Sequence, residues 1–316
     1  MTTKQIYDLA IKLGIDNDLR GAERVGKYLA RIKKNYEALP DKAKAEFDVE
    51  RFINPYSDSK VLVDNGQAVK KVLAGIDMEG SELLLAKQLG IDLVIGHHPL
   101  GSALADLSDV MHLQAQILAD QGLPINIAES VIKPRISEVS RGISPINHER
   151  PVDMAKALGL NLMCVHTPAD NMSAGFIIRL LKDNEGATET VGEVVDLLKS
   201  IPEYSEAMRR KSGPMIFAGA PENSCGKIVV TEFTGGTNGS KDIYEKMAQY
   251  GFGTIVGMHM DEEHRKEAEK YHINVIIAGH IASDSLGMNL FLDEVEKQGI
   301  EIMPVSGLIR VKRSVS

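Results

Sequence analysis

The stretch that most constrains the fold is residues 91–100, Ile-Asp-Leu-Val-Ile-Gly-His-His-Pro-Leu. Its five mostly apolar residues predict a buried strand. Gly96 permits a tight turn and Pro99 cannot continue a strand ladder, so His97 and His98 stand at the carboxyl end of the strand. Because consecutive side chains leave a strand toward opposite sides, the two imidazoles can reach two different metal ions.

Two later stretches share a pattern in which an apolar run is followed by a histidine and a carboxylate. Residues 275–280 (Val-Ile-Ile-Ala-Gly-His) end in a histidine, and Asp284 follows four positions later. Residues 160–165 are a further strand candidate, followed by His166 and Asp170. If a helix starts just after the histidine, groups four positions apart share one face and can reach one site. Taken alone, the second of these stretches is equally a turn or a helix N-cap.

Five side chains near these strand ends could bind metal: His97, His98, Asp170, His280 and Asp284. A lone histidine in an apolar segment is usually a packed core residue, but three imidazoles with two carboxylates are enough ligands for a two-ion site. One carboxylate can bridge the ions, and positions stay open for water or substrate, as in catalytic rather than structural sites. The mixed nitrogen and oxygen ligands are compatible with Zn, Fe, Mn, Co or Ni.

Strands alternate with helices over most of the chain, which predicts an α/β protein with a largely parallel sheet. Such sheets bind ligands at the carboxyl ends of their strands, where the histidines stand. Residues 1–45 are predicted to form a helical preface, with helices over 3–13 and 18–38, because apolar residues recur there at helical spacing. Other segments are predicted as follows: a strand over 125–128, a loop over 129–150, and helices over 174–181 and 286–298.

Composition narrows the classes of function. At 316 residues the chain is long enough for about two domains. A net charge of −8 lacks the basic footprint of a nucleic-acid-binding domain, which argues against direct nucleic-acid binding. Cys164 and Cys225 form no motif and fit a reducing cytoplasm. The first residues lack the apolar core of a signal peptide, and no apolar run approaches the roughly 20 residues of a membrane helix.

Three other stretches are candidates for a function. The glycine-rich residues 235–240 could hold a phosphate at a helix N-terminus, or simply form a tight strand-to-helix turn. His259 follows a strand candidate and is a candidate catalytic residue, whereas the acidic residues 261–263 beside it indicate a charged helix start. The basic stretch 31–34 is interpreted as the solvated face of its helix.

Four motifs resemble the Nif-three-like (NGG-interacting factor three) family of dinuclear-metal proteins, often labelled GTP cyclohydrolase 1 type 2 homologues. These motifs are Gly-His97-His98-Pro-Leu, His166-Thr-x-x-Asp170, Gly-Gly-Thr-Asn-Gly-Ser and Gly-His280-x-x-Ser-Asp284. Their order and spacing agree with the family over roughly residues 50–315. The resemblance therefore implies a Nif-three-like domain over residues 46–315, with the preface 1–45 outside the family pattern.

The resemblance implies two α/β lobes with mixed, largely parallel sheets flanked by helices, and a dinuclear metal site in the cleft between the lobes. The metal ligands that it implies are His97, His98, Asp170, His280 and Asp284, with His97 and His98 on different ions. Asp284 stands where the family usually has glutamate, so it bridges the ions only if its helix sits closer. His166 matches a family histidine near the site. A ring-like homohexamer is the assembly that the resemblance implies.

These observations predict a cytoplasmic, dinuclear-metal-binding protein that acts as a metal-dependent hydrolase on a nucleotide or other phosphate-bearing small molecule, with GTP cyclohydrolase-like activity suggested by the family label. Two bound ions would lower the pKa of a water molecule enough to supply hydroxide near neutral pH. His166 and His259 are the predicted proton-transfer residues, because histidine titrates near physiological pH. The alternative is a non-catalytic metal-binding regulatory or protein-interaction factor. A phosphodiesterase or phosphatase differs from the first prediction only in its substrate.

Overall fold

The structure is a computed structural model that describes residues 1–313, and it contains two β-sheets flanked by helices. The strands of the first sheet are β1 (Lys60–Val63), β2 (Lys71–Gly75), β3 (Leu93–Gly96), β4 (Asn161–Cys164) and β9 (Glu301–Pro304), in the spatial order β1-β4-β3-β2-β9. The strands of the second sheet are β5 (Met215–Ala218), β6 (Lys227–Val230), β7 (Phe252–Gly257) and β8 (Asn274–Ile277), in the order β5-β8-β7-β6.

Each sheet has one antiparallel pair at its edge, β1 with β4 in the first sheet and β5 with β8 in the second. All other neighbouring strands pair in parallel. Strands β3, β4 and β8 are buried at every position, as expected for parallel strands covered by helices on both faces. The predicted α/β fold with mixed, largely parallel sheets is confirmed.

The helices surround the two sheets and connect their strands. The α-helices of residues 1–313 are α1 (Thr3–Asp16), α2 (Ala22–Glu37), α3 (Asp41–Ala45), α4 (Gly80–Gln88), α5 (Gly101–Ala105), α6 (Leu107–Val110), α7 (His112–Asp120), α8 (Ile125–Ile143), α9 (Arg150–Leu158), α10 (Thr167–Asp183), α11 (Val191–Lys199), α12 (Pro202–Arg209), α13 (Ile243–Gln249), α14 (Glu262–Lys270) and α15 (His280–Glu296). Short 3₁₀ helices span Val49–Phe52 and Glu185–Ala187. None of these helices is long and apolar enough to cross a membrane.

Helices α10 and α15 bring the two sheets together. Helix α10 follows the first-sheet strand β4, and α15 follows the second-sheet strand β8. The two helices pack closely, because a Cβ placed on Gly287 of α15 would lie only 2.2 Å from the carbonyl oxygen of Ala169 in α10. Because residue 287 is glycine, helices α10 and α15 can approach closely enough for their first turns to contribute to one site.

The strand predicted over 125–128 and the loop predicted over 129–143 are wrong, since helix α8 runs from Ile125 through Ile143, whereas residues 144–149 form turns as the predicted loop 129–150 expected. Its buried face carries Ala128, Ile132, Val139 and Ile143 at helical spacing. Pro134 lies on the exposed side of the helix, where the carbonyl that it leaves without a backbone partner can meet water. The proline that suggested a loop is thus tolerated by its position on the helix.

The N-terminal helices pack on the rest of the chain. Ile6, Tyr7 and Ala10 of α1 are buried in the main core, and the helix packs against α10. The division at residues 45 and 46 stays a prediction, and the predicted domain end at residue 315 lies outside the described residues. Strands β5 and β9, which periodicity did not predict, are edge strands with mixed exposure and no clean alternation.

Candidate metal centre

The predicted site residues meet at the carboxyl ends of strands from both sheets. His97 and His98 follow β3, His166 follows β4 and precedes α10, and His259 follows β7. His280 opens helix α15 directly after Gly279, whose φ of 110° suits glycine and where a Cβ would lie 2.5 Å from the carbonyl oxygen of Ser212. Gly279 is therefore required at this position, because the backbone of residue 212 leaves no room for a side chain.

The helix starts place the two carboxylates. His166 is the N-cap residue of α10, so Asp170 lies one turn into that helix. His280 is the first residue of α15, so Asp284 also lies one turn in, on the same face. Both helices begin six or seven residues earlier than the predicted 174 and 286. The four positions between each histidine and its carboxylate thus correspond to one helical turn, so both side chains face the centre.

A first group of side chains is completely buried. Nε2 of His97 lies 3.3 Å from Oδ1 of Asp170 and 3.4 Å from Oδ1 of Asp284. All three side chains are at most 1% exposed. One imidazole nitrogen and two carboxylate oxygens, from segments that follow strands of both sheets, therefore converge on a point that bulk water does not reach.

A second group shares Asp284 with the first and is more open. Oδ2 of Asp284 lies 3.4 Å from Nε2 of His98 and 3.6 Å from Nε2 of His280. The side chains of His98 and His280 are 25% and 40% exposed. Because the two oxygens of Asp284 face different imidazoles, this one carboxylate borders both groups.

Five buried polar atoms of this cluster have no hydrogen-bond partner: Nε2 of His97, both carboxylate oxygens of Asp170 and both of Asp284. Native proteins rarely leave buried polar atoms unpaired, because the lost hydration is costly. A metal ion satisfies such atoms, and carboxylate with imidazole is a common donor set for divalent ions. The buried His/Asp cluster could therefore hold metal ions.

The imidazoles are oriented by bonds on the far side of each ring. Nδ1 of His97 lies 3.0 Å from the carbonyl oxygen of Val165 and donates to it, which leaves Nε2, on the side of the carboxylates, as the nitrogen that could bind a metal ion. Nδ1 of His98 lies 2.7 Å from Oδ1 of Asp77. Histidines that bind metal typically use the second nitrogen in this way, since the outer bond fixes the tautomer and the ring.

His166 has the same arrangement beside the first group. Its Nδ1 lies 2.8 Å from Oδ2 of the buried Asp58, which also accepts a hydrogen bond from Thr167. Its Nε2 faces Oδ2 of Asp170 at 3.7 Å. The ring of His166 is therefore held next to the centre by a carboxylate from the loop before β1.

Asp58 and Asp77 were missed in the sequence. Asp77 stands just after the apolar strand β2, which neighbours β3, so its strand-end position was a signal that could have been used. Asp58 lies in a loop without any periodic pattern, and no local signal identifies it. Both contact the centre only through a histidine that is distant in sequence.

The charges of the cluster shift the pKa values of its members. Burial lowers the pKa of His97, but the carboxylates of Asp284 and Asp170 outweigh this and raise it well above its usual value. Burial also opposes charge on His98, yet Asp284 and Asp77 raise the pKa of His98 to about 9. The pKa of Asp284 is raised by burial and lowered more strongly by the imidazoles, with a net decrease. Protons and metal ions therefore compete for the same positions.

His259 lies at the open side of the centre. Its ring centroid is 4.9 Å from that of His280. Burial, and next the neighbouring His280, lower the pKa of His259 to about 4, so the imidazole is neutral at neutral pH. The adjacent Asp261 instead caps α14, accepting a bond of 2.9 Å from the backbone N–H of His264. The acidic residues after His259 thus form a helix start, as one interpretation expected.

The glycine-rich loop 235–240 packs against helices α7 and α8. The Gln114 side chain donates to the carbonyl oxygens of Gly235 and Thr237, and Arg135 donates to that of Asn238. The backbone N–H of Gly239 donates to Glu232. These bonds support the interpretation of the stretch as a tight turn that the helices hold in place.

Comparison with known proteins identifies the fold. No protein-family model and no curated protein matches the sequence. Among solved structures, a NIF3 superfamily protein from Sphaerobacter thermophilus superposes with a TM-score of 0.78 and 26% identity, over 98% of this chain and 99% of that chain. The fold is that of the NIF3 superfamily. The resemblance predicted from the four motifs is confirmed by this full-length NIF3 match.

Two further structures are similar at a lower level. Reduced HcgD from Methanocaldococcus jannaschii has a TM-score of 0.49 and 16% identity, over 77% of this chain and 87% of that chain. TTHA1606 from Thermus thermophilus has a TM-score of 0.46 and 17% identity, over 80% of this chain and 90% of that chain. The assignment to the NIF3 fold rests on the Sphaerobacter protein.

Proposed function

We propose that this NIF3-fold protein binds two divalent metal ions and is a metal-dependent hydrolase acting on a nucleotide or other phosphate-bearing small molecule. The observation that carries the proposal is the position of Asp284, whose Oδ1 faces His97 and whose Oδ2 faces His98 and His280. When bound, two ions supply an activated water and polarise a substrate oxygen.

The two groups of side chains divide the ligands. His97 and Asp170 belong to the buried group, His98 and His280 belong to the open group, and Asp284 is shared. The aspartate is one methylene shorter than the glutamate of the resembling family, and α15 approaches α10 closely at Gly287, which supports a bridging role for the shorter side chain. The ligand set is compatible with Zn, Fe, Mn, Co or Ni.

The open group defines the side from which a substrate approaches. His98 and His280 are partly exposed, whereas His97, Asp170 and Asp284 are buried. A phosphate-bearing substrate therefore reaches the centre past these two imidazoles.

Two further histidines are the proposed proton carriers. His259 lies at the open side, with its ring centroid 4.9 Å from that of His280. His166, held by Asp58, presents Nε2 toward Asp170 at the buried side. Both rings therefore lie beside the proposed metal ligands, which supports their assignment as proton carriers.

The first test is elemental analysis of protein purified without added metal or chelator. We expect about two ions per chain in the wild type and loss of both in His97→Ala/His280→Ala, because each group then lacks an imidazole. His112→Ala/His148→Ala removes two histidines outside the centre and should keep the metal. Metal content unchanged in the first variant would refute the dinuclear centre.

The second test addresses catalysis with the metal so identified. Metal-loaded protein is assayed with GTP, other nucleotides and a generic phosphoester, beside His97→Ala as the inactive control. Turnover that disappears in the variant supports the hydrolase. Fully loaded protein without turnover of any of these would instead support a metal-binding regulatory or interaction factor.

The assembly and location remain proposals from the resemblance and composition. The resemblance implies a ring-like homohexamer, which native mass spectrometry of the purified protein tests directly. Cys164 and Cys225 are both buried free thiols, which is compatible with a reducing cytoplasm.

A further inference from the structure

A second cleft lies between helix α2 and helices α6 to α8. Its volume is about 330 Å³, within the range of small-molecule sites. None of the side chains that line it belongs to the metal centre. Its properties therefore need an explanation separate from metal binding.

The cleft is positively charged in a chain of net charge −8. Its lining includes two anionic side chains, Asp109 and Glu129, and four cationic ones, Arg20, Arg31, Arg51 and Lys133. A local excess of positive charge on an acidic protein attracts anionic ligands.

Two of the cations are already neutralised. Arg20 forms a buried ion pair with Asp18 at 2.8 Å, and Arg51 pairs with Asp109 at 2.6 Å. Arg31 and Lys133 form no ion pair with any residue of the described range 1–313. The unpaired charges of the lining are therefore two positive and one negative, that of Glu129, and both cations are available to a ligand.

Arg31 is held at the cleft by an aromatic ring. Its guanidinium carbon lies 5.9 Å from the centroid of Tyr28, and that of Arg20 lies 5.5 Å from the same centroid. Cation–π contacts of this kind restrict a long side chain without neutralising its charge. Arg31 therefore loses less conformational entropy on binding an anion than a fully mobile arginine would.

Part of the lining of the cleft is apolar. Val110, Leu113 and Ile132 are buried residues that line it, together with Ile32 and Pro55. A ligand with a small organic body as well as a charged head group matches this division. An inorganic ion would leave the apolar wall without a partner.

The structure also separates Arg31 from its basic neighbours. Arg31, Lys33 and Lys34 are all exposed, as the interpretation of a solvated basic face expected, but only Arg31 lines the cleft. Two lysines on the same helix therefore provide a matched control for charge alone.

We propose that this cleft binds a small organic phosphate, with the phosphate held by Arg31 and Lys133 and the organic body on the apolar wall. A phosphate monoester carries nearly two negative charges at neutral pH and has enough oxygens to contact both unpaired cations, whereas a monocarboxylate carries one charge. Arginine also offers a planar fork of donors suited to phosphate oxygens.

The test uses phenyl phosphate and isothermal titration calorimetry. The protein is metal-free and carries His97→Ala, so that phosphate binding at the metal centre does not contribute. We expect saturable binding of one phenyl phosphate per chain, weakened at least about tenfold by Arg31→Ala/Lys133→Ala. Lys33→Ala/Lys34→Ala should change the affinity by less than about twofold, since these lysines lie outside the cleft.

Two probes separate the chemistry of the ligand. Inorganic phosphate should bind about tenfold more weakly than phenyl phosphate, because it leaves the apolar wall exposed. Benzoate should also bind more weakly, because it carries one charge. All four substituted side chains are exposed, so circular dichroism and melting temperature should be unchanged.

Three results would overturn the proposal. The first is absence of saturable phenyl phosphate binding. The second is an equal loss of affinity in the Arg31/Lys133 and Lys33/Lys34 variants, which would mean nonspecific attraction. The third is benzoate binding as tightly as phenyl phosphate, which would reject the phosphate head group. None of these results depends on metal binding or hydrolysis at the centre.

Discussion

Oδ1 of Asp284, on the helix that follows the second sheet, lies 3.4 Å from Nε2 of His97 at a strand end of the first sheet. The contact joins elements that the chain forms far apart in sequence. A metal ion bound between them would therefore stabilise the folded arrangement of both sheets, because the unfolded chain does not present these ligands together.

Asp284→Asn tests the shared carboxylate. The variant keeps the shape of the side chain but removes its charge between the imidazoles, so we expect metal content to fall from about two ions per chain to one or fewer. Asp284→Glu, which restores the residue usual in the resembling family, should retain metal. Elemental analysis of both variants decides the matter, and two tightly bound ions in the asparagine variant would contradict a bridging role.

Chelation should remove the two proposed ions at different rates. The group of His97 and Asp170 is at most 1% exposed, whereas His98 and His280 are 25% and 40% exposed. A chelator reaches the open group first, so stopped-flow measurements should show a fast and a slow phase of similar amplitude. A single phase that releases both ions would show that the groups open together.

Asp77→Asn should weaken metal binding without harming the fold. Asp77 orients His98 through Nδ1 at 2.7 Å, while its own side chain is 62% exposed. Loss of such an outer partner typically costs about 10- to 100-fold in metal affinity. Competition with a fluorescent chelator measures this effect. Glu79→Gln, a nearby exposed carboxylate outside the centre, should bind metal like the wild type.

Gly287→Ala should destabilise the protein by about 1–3 kcal/mol, because the new methyl group meets a backbone carbonyl in the packed core. The expected collision is with Ala169, one residue before the ligand Asp170, so metal affinity should fall as well. Gly26→Ala in the middle of α2 meets no atom within 4 Å and should be stabilising by about 0.5–1 kcal/mol. Chemical denaturation compares the two, and equal stabilities would reject the close helix crossing.

The strand-end histidines were predictable from the sequence because their signal is local. An apolar run, a glycine and a histidine at 91–98 and 275–280 give the position of each imidazole without knowledge of the fold. The same locality explains why the loop prediction is wrong over 129–143, where Pro134 suggested a loop although it lies on the solvent side of α8.

The starts of α10 and α15 were misplaced for a different reason. The first turn of α10 carries threonine, proline and aspartate, and the start of α15 carries histidine, serine and aspartate. These residues interrupt the apolar periodicity and suggest a loop. Asp170 and Asp284 are nevertheless buried, because each faces side chains from elsewhere in the chain rather than solvent. When a polar residue is buried by a partner distant in sequence, the residues next to it show no pattern that predicts its burial.

The sequence by itself determined the α/β class, the strand-end position of the histidines and the resemblance to the NIF3 fold, since all three depend on short patterns and their order. Only the tertiary structure decided that Asp284 faces both groups of imidazoles, that Asp58 and Asp77 orient two of the rings, and that Arg31 lines a cleft while Lys33 does not. These relationships depend on distances between segments, and such distances are set by how the sheets and helices pack.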